Sequence, residues 1–135
     1  MQVAIFGSRF ESDKLNQVMN VFSALRKVDA EIQICKDFYQ FLTTVMNNPP
    51  AIDKIITCDD FSADYAISIG GDGTYLRTAH RVGRKGIPIV GINTGRLGFL
   101  ADIESVEIEE VIYELYKHYY IQYYFLTSFL LSCIN

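Results

Sequence analysis

A chain of 135 residues in which 50% are hydrophobic and 21% charged has the composition of one folded domain, which excludes a disordered segment and leaves no room for a second full domain. Its 12 Lys+Arg against 16 Asp+Glu give a net charge of -4, and no basic run exceeds two residues, so nucleic acid is not an expected partner. Cys35, Cys58 and Cys133 are odd in number and lack CxxC spacing, which argues against a disulfide framework and a zinc site; with no signal-peptide pattern at MQVAIFGSRF, a cytoplasmic location is expected.

Gln2 to Phe6 is a short apolar run that stops at Gly7-Ser8, the pattern of a buried strand and a turn. From Ser12 to Val28 the apolar positions Leu15, Val18, Phe22 and Leu25 recur at helical steps and predict an amphipathic helix. Ala30 to Cys35 follows as a strand and Asp37 to Met46 as a helix, which Pro49-Pro50 ends because proline lacks the backbone donor and restricts its predecessor. The connection to Ser62 carries no clear pattern. Asp64 to Ile69 is apolar at nearly every position, as in a parallel strand covered on both faces, and closes on Gly70-Gly71. Thr74 to Val82 is helical, Gly86 to Ile92 is another strand, and Ser105 caps a last helix with Glu107, Glu109 and Glu110 at its start and Lys117 at its end. The alternation predicts an α/β, three-layer sandwich with a mostly parallel sheet.

In such sheets ligands bind beyond the carboxyl ends of the strands, where both glycine-rich loops of this sequence fall. Gly70, Gly71 and Gly73 let a backbone approach a ligand closely, and the N–H groups of the following helical turn favour a phosphate, with Thr74 adding a hydroxyl. The P-loop pattern is absent, and a dinucleotide fingerprint starting at Gly71 would need glycine where Leu76 stands. What distinguishes the loop is a carboxylate, Asp72, between its glycines. Since an anion repels an anion, Asp72 points to a hydroxyl proton to be accepted in phosphoryl transfer, or to Mg²⁺ bridging it to phosphates. His80 and His118 have no ligand partner at useful spacing, Cys35 reads as a core filler, and Arg96 as an exposed loop cation.

IGGDGTYL at 69–76 together with VGINTGRLGFLAD at 90–102 resembles NAD kinase, which phosphorylates the adenosine ribose 2′-hydroxyl of NAD. Lipid kinases and phosphofructokinases share versions of the first motif; the second favours NAD kinase. The resemblance covers roughly residues 2–117. It implies Asp72 as proton acceptor, contacts from Asp72 and Gly73 to NAD and from Thr74 to phosphates, and Arg77 near the nucleotide. It further implies a neighbouring loop from Asn93 through Thr94 and Gly95 to Gly98, with Phe99 on the adenine side. ATP as donor, Mg²⁺ as cofactor and a homo-oligomeric full-length enzyme are implied in the same way. The alternatives are a lipid or sugar kinase, or a non-catalytic nucleotide-binding fragment.

The family is about twice this length, and the ribose-gripping and Thr-Gly-Ser-Thr-Ala-Tyr motifs of its second half do not occur here. The expected division is an α/β nucleotide-binding domain at 1–117 and an atypical hydrophobic tail at 118–135, the mark of a truncated or frame-shifted reading with little activity of its own. The tail holds no charged residue and six of the eighteen Phe and Tyr. It falls short of the ~20 apolar residues of a membrane span, so a membrane is not an expected partner, and its profile is that of an aggregation-prone segment.

Overall fold

The computed structural model describes residues 1–94 and 107–134, and side chains as far as Ser128. Its elements run β1 (Gln2–Gly7), a 3-10 turn (Ser12–Lys14), α1 (Leu15–Lys27), β2 (Glu31–Cys35), α2 (Lys36–Val45), β3 (Lys54–Ile56), β4 (Tyr65–Gly70), α3 (Asp72–Val82), β5 (Ile89–Asn93) and α4 (Ile108–Ile134). The five strands form one sheet in the order β3-β2-β1-β4-β5, and every pairing is parallel. The chain starts in the middle, winds outward to β3, and returns past β1 to continue on the other side. Its switch point lies between β1 and β4, where their carboxyl ends diverge.

Apolar side chains alternate between two cores. Val3 and Ile5 of β1, Ile32 and Ile34 of β2, Ile67 and Ile69 of β4, and Ile92 of β5 pack against Val18, Phe22 and Leu25 of α1, Phe38 and Leu42 of α2, and Ile108 and Ile112 of α4. Ala4, Phe6 and Ala66 face the other way, toward Val82 of α3 and Phe61. Because both faces are covered, β4 is buried at all six positions, the continuous pattern YAISIG records.

The expected elements are all present among the described residues, with four main differences, the first being that the strand expected from Gly86 begins only at Ile89, after Gly86 at a φ of +69° and Pro88. The segment read as patternless contains β3, a three-residue edge strand pinned by Asp53, whose carboxylate accepts from the Ile32 N–H at 2.7 Å and from Arg26 Nη1 at 3.0 Å. The helix expected from Thr74 begins at Asp72, because Gly71 is extended and its carbonyl already accepts from the Tyr75 N–H at 3.1 Å. The last helix continues through Lys117 to Ile134. Ile108 and Ile112 are buried in it, whereas Tyr124 is 77% and Phe125 76% exposed. Among the described residues, no helix is long and apolar enough to cross a membrane. Ser105 lies outside them.

Candidate functional site

Three chain ends meet at the switch point. β1 ends at Gly7, where an added Cβ would stand 2.5 Å from the Phe38 ring, so that α2 packs directly onto the strand's exit. The Ser8 N–H then donates to the Ile69 carbonyl at 3.1 Å, tying the β1 loop to β4. On the other side Gly70 pairs with Asn93, and the Thr94 N–H donates to the Gly70 carbonyl at 3.2 Å. Gln17 reaches over from α1 and its Nε2 donates to the Asn93 carbonyl at 2.8 Å. The loops after β1, β4 and β5 are thus held by main-chain bonds, on strand ends that cannot shift independently.

The glycines of the middle loop divide by what the fold asks of them. Gly70 has a φ of +156°, and a Cβ there would lie 2.5 Å from Thr74 Oγ1 and 2.7 Å from Ser8 Oγ. Packing and backbone both demand glycine at that position. Gly71 would meet nothing within 4 Å, and Gly73 only the tip of Arg77 at 3.6 Å. Neither has a positive φ. Gly73 even stands in the first turn of a helix, where alanine is the better former. A glycine that the fold does not need, beside open space, lets a ligand come close to the backbone of a helix start.

Around this opening stand the polar groups. Asp72 is half-buried at the first position of α3, where a carboxylate also complements the helix dipole, so the placement is favourable in the absence of any ligand. Thr74 is buried; its hydroxyl accepts from Arg77 Nη2 at 3.2 Å, which folds the guanidinium back over the loop. The Thr74 carbonyl accepts from the Thr78 hydroxyl at 2.9 Å. Ser8, Arg9, Phe10, Glu11, Gly71 and Thr94 line a pocket of about 290 Å³, so Arg9 and the Glu11 carboxylate share it. Ser8 and Arg9 also line a second pocket, of about 420 Å³, toward Asp37, Phe38 and Phe41, and the Arg9 guanidinium lies 5.8 Å from the Phe41 ring centre. Larger clefts of about 770 and 730 Å³ run along α4, and neither is lined by residues 70–74.

The sequence-expected residues Gly70, Gly71, Asp72, Gly73, Thr74, Arg77, Asn93 and Thr94 therefore occupy one locality. Gly95 and Phe99, with Arg96 and Gly98, lie outside the described residues. Ser8 and Arg9 were not expected from the sequence. Their signal was positional: in a parallel sheet that starts at its centre, the loop after the first strand faces the switch point. For Mg²⁺ the donor set is sparse. Among the described residues no group of three His, Cys, Asp or Glu side chains is placed to hold a metal.

A sequence profile of the ATP-NAD kinase N-terminal domain matches residues 10–120. NAD kinase of Bacteroides fragilis is 48% identical over 120 residues, which cover 89% of this chain and 41% of that protein. NAD kinase of Porphyromonas gingivalis is 40% identical over 114 residues, covering 84% and 40%, and that of Thermococcus kodakarensis is 32% identical over 107, covering 79% and 36%. The chain spans about two fifths of the length of the curated relatives it matches. Among solved structures, yeast NADH kinase complexed with NADH superposes with a TM-score of 0.70 at 18% identity, covering 87% of this chain and 36% of that one, a likeness of fold.

Proposed function

We infer the function from one premise: this chain belongs to the NAD kinase family. We propose that it carries the phosphoryl-transfer half of an enzyme that uses ATP to phosphorylate the 2′-hydroxyl of the adenosine ribose of NAD, giving NADP in the cytoplasm. The observation that carries this reading is the 70–74 loop, where a carboxylate sits between two glycines that the fold does not need.

Asp72 accepts the ribose hydroxyl proton as that oxygen attacks the γ-phosphorus of ATP, and ADP leaves with the electrons of the broken P–O bond. The N–H groups at the start of α3 face the phosphate charge, Thr74 contributes its hydroxyl, and Arg9 and Arg77 flank the loop as counter-charges in a protein whose net charge is negative. Asn93 and Thr94 form the neighbouring wall on the nucleoside side, and Gly95 and Phe99 are assigned to nucleotide contact by the family resemblance alone. Asp72, together with the phosphates of ATP, would hold Mg²⁺, whose charge would offset that on the transferred group. Full-length assemblies are proposed to be homo-oligomers, and no nucleic acid or membrane enters the reading.

Isothermal titration of the folded chain with NAD, with ATP and Mg²⁺, with diacylglycerol micelles and with a sugar phosphate tests the assignment. NAD and ATP are expected to bind and the other two acceptors not to. Binding of a lipid or sugar acceptor in place of NAD would move the assignment to another kinase that shares the loop, and binding of none would remove it.

A further inference from the structure

At the carboxyl ends of β2 and β3 a cleft of about 590 Å³ is lined by two cysteines, Cys35 and Cys58, with Asp59 and Arg81. Neither thiol is in a disulfide; Cys35 is half-buried and Cys58 exposed. The sheet brings them to one place, because Cys35 lies opposite Ile56 in the β2–β3 ladder and the chain reaches Cys58 two residues later. One guanidinium joins them. Arg81 Nη1 donates to Cys35 Sγ at 2.9 Å, Nη2 reaches the Cys58 carbonyl at 3.5 Å, and Nε donates to Asp59 Oδ1 at 2.6 Å. The Phe6 ring supports the guanidinium from below at 4.9 Å. Burial works against the charge on Arg81, and Asp59 and the Cys35 sulfur outweigh it, so that its pKa lies above the ordinary value. Cys35 also stands at the N-cap position of α2, where its side chain makes no capping bond.

A sulfur that accepts a hydrogen bond from a fixed cation, with a second and more exposed thiol in the same cleft, is the arrangement of a reacting and a resolving cysteine. We propose that Cys35 and Cys58 form a reversible two-thiol site that a hydroperoxide oxidises to a disulfide, with Arg81 as the positioning residue. The Cys35 thiolate attacks the outer peroxide oxygen; an S–O bond forms, the O–O bond breaks, and the departing alkoxide takes a proton from water. Cys58 sulfur then attacks Cys35 sulfur. The S–S bond forms as the S–O bond breaks, and the hydroxide leaves as water with the Cys58 proton. Two thiols lose two electrons and the hydroperoxide becomes an alcohol and water. The site is separate from the glycine loops and stands whether or not NAD is the acceptor there.

The test uses the full chain carrying Cys133→Ser, so that the third thiol does not compete, treated with hydrogen peroxide and then with dimedone or a maleimide before tryptic mapping. The expected product is residues 28–36 linked to residues 55–77, lighter by two hydrogens than the separate peptides. Adding Cys58→Ser should trap dimedone on 28–36. Arg81→Gln should slow the first step about tenfold, equivalent to about 1.4 kcal/mol, and Arg81→Lys should restore most of the rate. Dimedone on 55–77 in preference to 28–36 in the Cys133→Ser chain, or no linked peptide while Cys35 is labelled, would overturn the proposal. So would an unchanged rate in folded Arg81→Gln; if that variant does not fold, the Cys58→Ser trap still decides.

Discussion

Alanine at Gly70 tests the division of the loop's glycines most sharply. The new Cβ would stand 2.5 Å from Thr74 Oγ1 and 2.8 Å from Thr74 Cβ. Thr74 is only 5% exposed and its branched side chain has few rotamers to escape into, so overpacking should cost about 1–3 kcal/mol. Holding alanine at a φ of +156° adds about 1–3 kcal/mol, while the less flexible unfolded chain returns about 0.4–1. The net expectation is a loss of about 1–5 kcal/mol, centred near 3, a large share of the ~5–15 kcal/mol by which a domain is stable, with Tm lower by about 10 °C. Gly71→Ala, facing open space, should stay within about 0.5 kcal/mol, and Gly73→Ala should gain about 0.5 kcal/mol as a better helix former. Urea and thermal unfolding followed by circular dichroism measure all three. A Gly70→Ala change as mild as the others, or a Gly73→Ala loss above about 1 kcal/mol, would refute the reasoning.

Asp53 is held below the ordinary carboxylate range mainly by the Ile32 N–H and then by Arg26, with partial burial opposing. A lowered folded pKa gives stability that is complete above the unfolded value and lost as pH falls through the folded one. Asp53→Asn should thus cost about 1 kcal/mol at pH 7, the carboxylate being 42% exposed and partly screened, and the gap to wild type should close in acid urea titrations. A gap constant with pH would show that the charge does not matter. Tyr124→Lys with Phe125→Lys should leave Tm unchanged and reduce concentration-dependent light scattering, because both rings are more than three-quarters exposed. A fall in Tm would mean that they pack. With NAD, ATP and Mg²⁺, the 135 residues by themselves should form no NADP above background, because they span two fifths of the relatives' length and phosphoryl transfer depends on positioning. Turnover abolished by Asp72→Asn would contradict this.

Sheet and helices are legible because the core follows the two periods of the backbone: Val18, Phe22 and Leu25 repeat at helical steps, and β4 is apolar at every position but Ser68. β3 is not, since three residues on an edge make no periodic signal and Asp53, which anchors them, reads as one more surface carboxylate. At the site, Asp72 and its glycines were marked by composition, but which glycine serves the fold and which the opening depends on Ser8 and Thr74, visible only in three dimensions. Ser8 and Arg9 carry no motif and come to the site through the strand order alone. In sequence Cys35 has only the signature of a core filler. Arg81, 46 residues away, is what gives its sulfur a partner.

The central claim is that the ends of β1, β4 and β5 form one nucleotide-phosphate site, and amide chemical shifts of the labelled chain during titration with ATP and Mg²⁺, and then with NAD, test it most directly. Shifts are expected to concentrate at Ser8, Arg9, Gly71 to Thr74 and Thr94, and to be weakened by Gly73→Val in a chain that remains folded. Shifts confined to the clefts along α4, with the 70–74 amides unmoved, would contradict it.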